Sequence, residues 1–161
     1  MTDVEFYLKR PGVKITSFKD INSNYFKYFN LINVDDTVEL QSDYYIEGVI
    51  IFKKDNQFIC DFTYYDLIDQ LASYFITAIH KLMKQEINEI AFSFPDQPIE
   101  IRLKRKRNNY YFQIEEGKWY EFPLAKFLDK SKLLFDKIDS FLNKNSYSHE
   151  RNLIQEIFVS L

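Results

Sequence analysis

Val4, Phe6 and Leu8 alternate with Glu5, Tyr7 and Lys9 at the two-residue period of a half-buried strand. Pro11-Gly12 breaks the alternation and Val13-Lys14-Ile15-Thr16 resumes it, which predicts a hairpin over residues 4–17. An aromatic-rich cluster among Asn and Lys, from Tyr25 to Leu31, predicts a short helix within residues 20–34. Tyr44–Phe52 and Gln57–Phe62 are β-rich runs on either side of Lys53-Lys54-Asp55-Asn56. Asp and Asn tolerate the left-handed backbone of tight turns, so this stretch predicts a second hairpin. Gly48 inside its first strand marks a bulge or a close packing contact.

Thr63-Tyr64-Tyr65-Asp66 has the form of a capping box and predicts a helix from Thr63 to about Gln85. Its apolar stripe runs through Tyr64, Leu67, Ile68, Leu71, Phe75, Ala78, Ile79 and Leu82 at three- and four-residue spacing. Glu89–Phe94 reads as a strand closed by Pro95, and Ile99, Ile101 and Leu103 alternate with charges in another. Asn108-Asn109 turns the chain into Tyr110, Phe112 and Ile114, and Glu116-Gly117-Lys118 turns it again into Trp119–Phe122. Pro123 suits the start of a second long helix, whose stripe includes Leu124, Phe127, Leu128, Phe135, Ile138 and Phe141. A polar break, Asn143–Ser148, precedes a short C-terminal helix capped by Ser148. The pattern predicts an α+β fold over residues 1–161 as one domain. It consists of an antiparallel sheet of consecutive hairpins with two long amphipathic helices packed on one face.

Composition then narrows the chemistry. The chain holds 16 Phe and 12 Tyr but three Gly, two His and one Cys. Loops that cradle phosphate need Gly for close backbone approach, and His and Cys are the commonest metal and nucleophile side chains, so many enzyme designs are disfavoured. No cofactor is implied. Cys60 alternates in phase with Phe58 and Phe62 and reads as a buried small hydrophobe. His80 falls at the boundary of the first helix stripe, and His149 has no catalytic partner near it in sequence. A net charge of −3 implies no bulk attraction to nucleic acid or acidic membranes. With neither a secretory signal pattern at its start nor a membrane-spanning apolar run, the chain reads as cytoplasmic.

Arg102, Lys104, Arg105, Lys106 and Arg107 precede Tyr110 and Tyr111, a combination that could hold single-stranded nucleic acid by phosphate pairing and stacking. The simpler account prevails, because Arg102, Lys104 and Lys106 occupy the polar phase of an alternating strand, where solvated charge is ordinary. Protein binding has a more direct signal. Around Gln70, Ser73 and Thr77 the polar side of the first helix is weakly charged, while Asp61, Asp66 and Asp69 gather with Tyr65 at its start. Tyr beside carboxylates suits recognition of a basic protein surface, although carboxylates also complement a helix N-terminus and another part of the chain could cover that face.

Two resemblances bear on function. Pro95-Asp96, followed after 19 residues by Glu116-Gly117-Lys118, resembles the signature of the PD-(D/E)xK nuclease superfamily. That resemblance implies Asp96 and Glu116 as Mg²⁺ ligands and Lys118 as the group that positions or activates water. The pattern departs from the family in three ways, one being that the family's last strand reads here as the helix after Pro123. Asp96 lies between Pro95 and Pro98 rather than in a strand, and Glu116 and Lys118 flank a Gly in a turn. The stretch Asp61–Pro98, with Asp69-Gln70-Leu71, Tyr74-Phe75 and Phe94-Pro95-Asp96-Gln97-Pro98, is similar to small bacterial immunity-like proteins of polymorphic toxin systems. This second resemblance implies a non-enzymatic protein that neutralises a cognate toxin by binding it. It is the preferred expectation, with Asp61, Tyr65, Asp66, Asp69, Gln70 and Ser73 as contact residues and the metal-dependent nuclease as the alternative.

Overall fold

The computed structural model describes residues 2–32 and 46–144. Within them the α+β class holds, but the strands divide into two antiparallel sheets instead of forming one. The first contains β1 (Thr2–Lys9), β2 (Phe29–Leu31), β3 (Glu47–Lys54) and β4 (Gln57–Cys60) in the order β2-β1-β3-β4, and β5 (Asp66–Leu67) also pairs with β3. The second contains β6 (Glu89–Ser93), β7 (Glu100–Lys106), β8 (Asn109–Ile114) and β9 (Tyr120–Pro123) in sequential order. Two long helices, α2 (Ile68–Met83) and α3 (Leu124–Lys144), follow β5 and β9, and α1 is a single turn at Tyr25–Tyr28.

Strand β3 reads Gly-Val-Ile-Ile-Phe without alternation because both of its faces are covered. On one side Ile50 and Phe52 join Phe6 and Leu8 in a large core shared with both long helices and the inner face of the second sheet. Phe52, Phe75 and Phe112 join the three layers there, with Phe52 5.5 Å from Phe112 and Phe75 stacked on Phe112 at 6.1 Å between ring centroids. On the other side Val49 and Ile51 pack with Tyr7, Ile21, Phe29 and Phe62 in a smaller core. Tyr7, expected in the polar phase of a half-buried strand, is therefore buried.

The predicted hairpin over residues 4–17 does not form. Residues 13–17 have no strand structure, and β1 pairs with β2 and β3, from Tyr7↔Leu31 to Thr2↔Lys54. The segment after Pro11-Gly12 instead crosses the first sheet and contributes Ile15 and Ile21 to the smaller core. Of the helix expected in residues 20–34 the described residues, up to Ile32, contain only α1, and Phe29 to Leu31 enter the sheet. The β3–β4 hairpin does form, with Asp55 and Asn56 at φ 50° and 64°, both left-handed as a primed two-residue turn requires. A register shift follows at Phe52/Lys53. Gly48 is the close contact anticipated, since a Cβ there would lie 2.5 Å from the Tyr7 carbonyl oxygen.

The first long helix begins at Ile68, five residues after Thr63. Thr63 caps nothing, because Asp61 closes a local turn on it through Oδ1, which accepts the Thr63 N–H at 2.9 Å and its hydroxyl at 2.6 Å. Tertiary pairing then holds the chain extended, with Glu47↔Leu67 and Gly48↔Asp66. The helix ends at Met83, with Lys84 as its C-cap and Gln85 at φ 56°. In the second sheet the tight turn is Arg107-Asn108, one residue earlier than expected, because Asn109 pairs with Lys106. Cys60 is buried and His80 is half-buried, as their positions implied. The strand start expected at Tyr44, the helix expected after Ser148 and His149 lie outside the described residues.

Candidate binding surface

The six residues expected to meet a partner separate into two groups. Asp61, Tyr65 and Asp66 bind their own chain. Asp61 Oδ2 accepts the Asn22 side-chain amide at 2.8 Å, and Asn22 Oδ1 accepts the Phe62 N–H at 3.0 Å, so this pair fastens the crossing segment to the first sheet. Asp66 is buried rather than displayed at a helix start. Its carboxylate accepts the N–H groups of Leu67 at 2.6 Å, Asp96 at 3.1 Å and Gln97 at 3.1 Å, which anchors the 95–97 loop. Tyr65 packs against Phe18 and Phe29, each at 6.0 Å, and its carbonyl accepts the Gln97 side-chain amide.

Gln70 is exposed on α2, Ser73 and Asp69 are half-buried, and exposed Tyr74 lies beside them. Tyr74 meets Phe92 of β6 edge to face at 6.4 Å. Gln70 and Ser73 therefore remain surface candidates, while Asp61 and Asp66 have structural work to perform.

What sequence reasoning missed is an aromatic network over the outer face of the first sheet. Phe18 contacts Tyr65, Tyr65 contacts Phe29, and Phe29 contacts Phe62 at 5.3 Å. Phe62 then stacks on Tyr25 at 4.5 Å and 8°, and Tyr25 meets Phe26 at 6.1 Å. Phe29 and Phe62 inside it are buried and Tyr65 is half-buried, but Phe18, Tyr25 and Phe26 at its ends are 53%, 38% and 56% exposed. Phe18 lies among polar residues, outside every stripe and alternation. That isolation was the one available signal that it serves no core.

Phe18 and Tyr65 also border a pocket of about 290 Å³ whose charged lining residues are Glu47, Asp66 and Asp96. Leu67 and Gln97 complete it. Burial raises the Tyr65 phenol above its ordinary range; Glu47 and Asp66 push the same way, while Lys9, whose ammonium pairs with Glu47, opposes them.

The nuclease-type residues are placed differently from a strand-borne metal site. The Ser93↔Glu100 pairing and the Glu115 N–H to Glu100 carbonyl bond of 2.7 Å bring the Asp96 loop and the Glu116 turn to the same end of the second sheet. Asp96 is exposed in its loop, Glu116 and Lys118 are exposed in the β8–β9 connection, and Lys118 Nζ lies 4.7 Å from the Tyr120 ring centroid. Among the described residues no three or more His, Cys, Asp or Glu side chains group as a metal site.

The basic strand is largely committed to its own sheet. Arg102 pairs with Glu100 at 2.6 Å, and Lys104 Nζ sits 3.9 Å from the Trp119 ring centroid and 5.4 Å from that of Tyr111. Arg105 donates to the Leu82 and Met83 carbonyl oxygens at 3.4 and 3.2 Å, satisfying the C-terminus of α2. Among the described residues no helix is long and apolar enough to cross a membrane. No protein-family model matches the chain, and no curated protein or solved structure shows significant similarity to it.

Proposed function

We propose that this protein is a cytoplasmic binding module that neutralises a cognate toxin by direct contact, as immunity proteins do, without a cofactor. One observation carries the reading. Phe18, Tyr25 and Phe26 are exposed at the ends of a single ring network whose interior is packed. Rings held in place before binding present large apolar area at little entropic cost, which is why Tyr and other aromatics concentrate at the centres of protein interfaces. Gln70, Ser73 and Tyr74 on α2 offer a second contact strip, polar and weakly charged.

The direct test is calorimetry with the protein encoded by the adjacent gene, together with survival of cells expressing that neighbour. A tight 1:1 complex and rescue by the wild type are expected. The double variant Phe18→Ser, Phe26→Ser should lose at least about tenfold in affinity while remaining folded. A neighbour that does not bind, or that is harmless to cells lacking this protein, overturns the reading. The nuclease alternative predicts Mg²⁺-dependent cleavage abolished by Glu116→Ala; the binding reading predicts none from either protein.

A further inference from the structure

Resting on that protein-binding reading, we infer that the pocket bordered by Phe18 and Tyr65 receives an arginine side chain of the partner. Its volume, about 290 Å³, falls at the lower limit of small-molecule sites and suits one inserted side chain better than a free metabolite. All three charged residues lining it are carboxylates, Glu47, Asp66 and Asp96. Lys9 offsets part of that charge through its bond to Glu47, so three carboxylates face one ammonium. The backbone N–H groups that hold Asp66 fix its position without cancelling its charge. A cation is the complementary occupant.

The two aromatic rings choose among cations. A planar guanidinium stacks on a ring face while its N–H fork reaches a carboxylate, whereas an ammonium is a compact, strongly hydrated charge. Phe18 and Tyr65, in tilted contact with each other at 6.0 Å, form the aromatic border on which one guanidinium face can stack, and exposed Asp96 supplies a carboxylate from the loop that Asp66 anchors. The Gln97 side-chain amide, tied to the Tyr65 carbonyl, holds the loop against the aromatic wall.

The test needs no toxin. The full chain, isotopically labelled, is titrated with Nα-acetyl-arginine amide and watched by amide chemical shifts. Nα-acetyl-citrulline amide, the neutral isostere, and Nα-acetyl-lysine amide serve as comparisons. Saturable shifts are expected at the Asp96 and Gln97 amides, with arginine favoured over citrulline by about tenfold and over lysine by a smaller margin. Asp96→Asn and Phe18→Ala should each weaken the arginine response about fivefold or more, with the remaining spectrum unchanged. Equal binding of citrulline, lysine binding as tight as arginine, or arginine shifts confined to other surfaces overturns the inference. Arginine-selective binding without affinity for the neighbouring protein would leave the pocket standing and remove the toxin. Tight binding of that neighbour, unchanged by Asp96→Asn and without an arginine response, would do the reverse.

Discussion

Both carboxylate oxygens of Asp66 accept the backbone N–H of Asp96, each at 3.1 Å. This contact joins the start of α2 to a loop thirty residues away and gives the candidate pocket its floor. With the Leu67 and Gln97 N–H groups it makes Asp66 a buried acceptor for three backbone donors. Asp66→Asn would place an amide donor among those donors. Hydrogen bonds to a charged group contribute about 1.5–3 kcal/mol each, and partners left unpaired add to the loss. Urea denaturation should show a loss of about 3 kcal/mol for Asp66→Asn and less than about 0.5 kcal/mol for the exposed Gln70→Ala. Comparable small losses for both would mean the Asp66 contacts do not hold the loop.

Asp66 lies in a strand and not in the first turn of a helix for a physical reason. Thr63 to Asp66 satisfies a local rule for helix starts, yet the chain is held extended by pairing with Glu47 and Gly48, far away in sequence. A local signal competes with partners that it cannot encode. The same holds at the N-terminus, where Pro11-Gly12 correctly marks a turn but the partners of β1 come from residues 29–31 and 47–54. Where the neighbour in space is also the neighbour in sequence, reading succeeded. The β7–β8 alternation, the Asp55-Asn56 turn and the stripe through Leu71, Phe75 and Leu82 all formed. Of the aromatic surface only the isolation of Phe18 was legible, because exposed Tyr25 and Phe26 and buried Phe29 belong to one aromatic-rich run in the sequence.

Gly48 should tolerate no side chain. Its missing Cβ would sit 2.5 Å from the Tyr7 carbonyl oxygen, which is backbone in the adjoining strand and cannot rotate away. Gly48→Ala therefore has to separate β1 from β3 at the centre of the first sheet. Overpacking of this kind costs about 3 kcal/mol, so a large drop in the thermal midpoint is expected. An unchanged midpoint would show that the strands can part there.

Scarcity of glycine leaves a stabilising substitution open. Gln85 follows the C-cap of α2 at φ 56°, the left-handed position where helices commonly place Gly. A side chain there costs about 1 kcal/mol relative to a residue without Cβ. Gln85→Gly should gain up to roughly 0.5 kcal/mol, after subtracting the greater freedom of Gly in the unfolded chain. Chemical denaturation would read this as a higher midpoint with an unchanged slope, and a lower midpoint would refute it.

The two arginines of β7 should behave differently. Arg105 is partly buried and bonds two carbonyl oxygens at the end of α2, whereas Arg102 forms an exposed pair with Glu100. Losing a cation from a helix C-terminus along with its hydrogen bonds costs about 1–2 kcal/mol, while exposed pairs contribute about 0–1 kcal/mol. Arg105→Ala should destabilise by the larger amount and Arg102→Ala scarcely at all. Equal effects would return the whole basic strand to the status of solvated charge.

Alkaline stability should depend on Tyr110. Its ring is fully buried and its hydroxyl meets no hydrogen-bond partner among the described residues. Burial pushes the phenol up to about 12, with nearby Arg105 pulling it down. The folded state thus keeps its proton at a pH where the unfolded chain, with a phenol near 10, has begun to lose it. The stability this contributes is complete below about pH 10 and disappears as pH rises from there through about 12, amounting to roughly 2 kcal/mol. Tyr7 and Tyr64 are raised as well, by burial first and then by Glu5 and Glu115, so they act in the same direction. Tyr110→Phe removes the ionisable group together with a hydroxyl that costs free energy to bury unpaired. At pH 7 the variant should match or exceed the wild type by up to about 1 kcal/mol, and its stability should fall less steeply between about pH 10 and 12. Urea midpoints across that range provide the measurement. A loss above about 1 kcal/mol at pH 7 would show that the hydroxyl is bonded in solution, and parallel alkaline curves would assign the titration to other tyrosines.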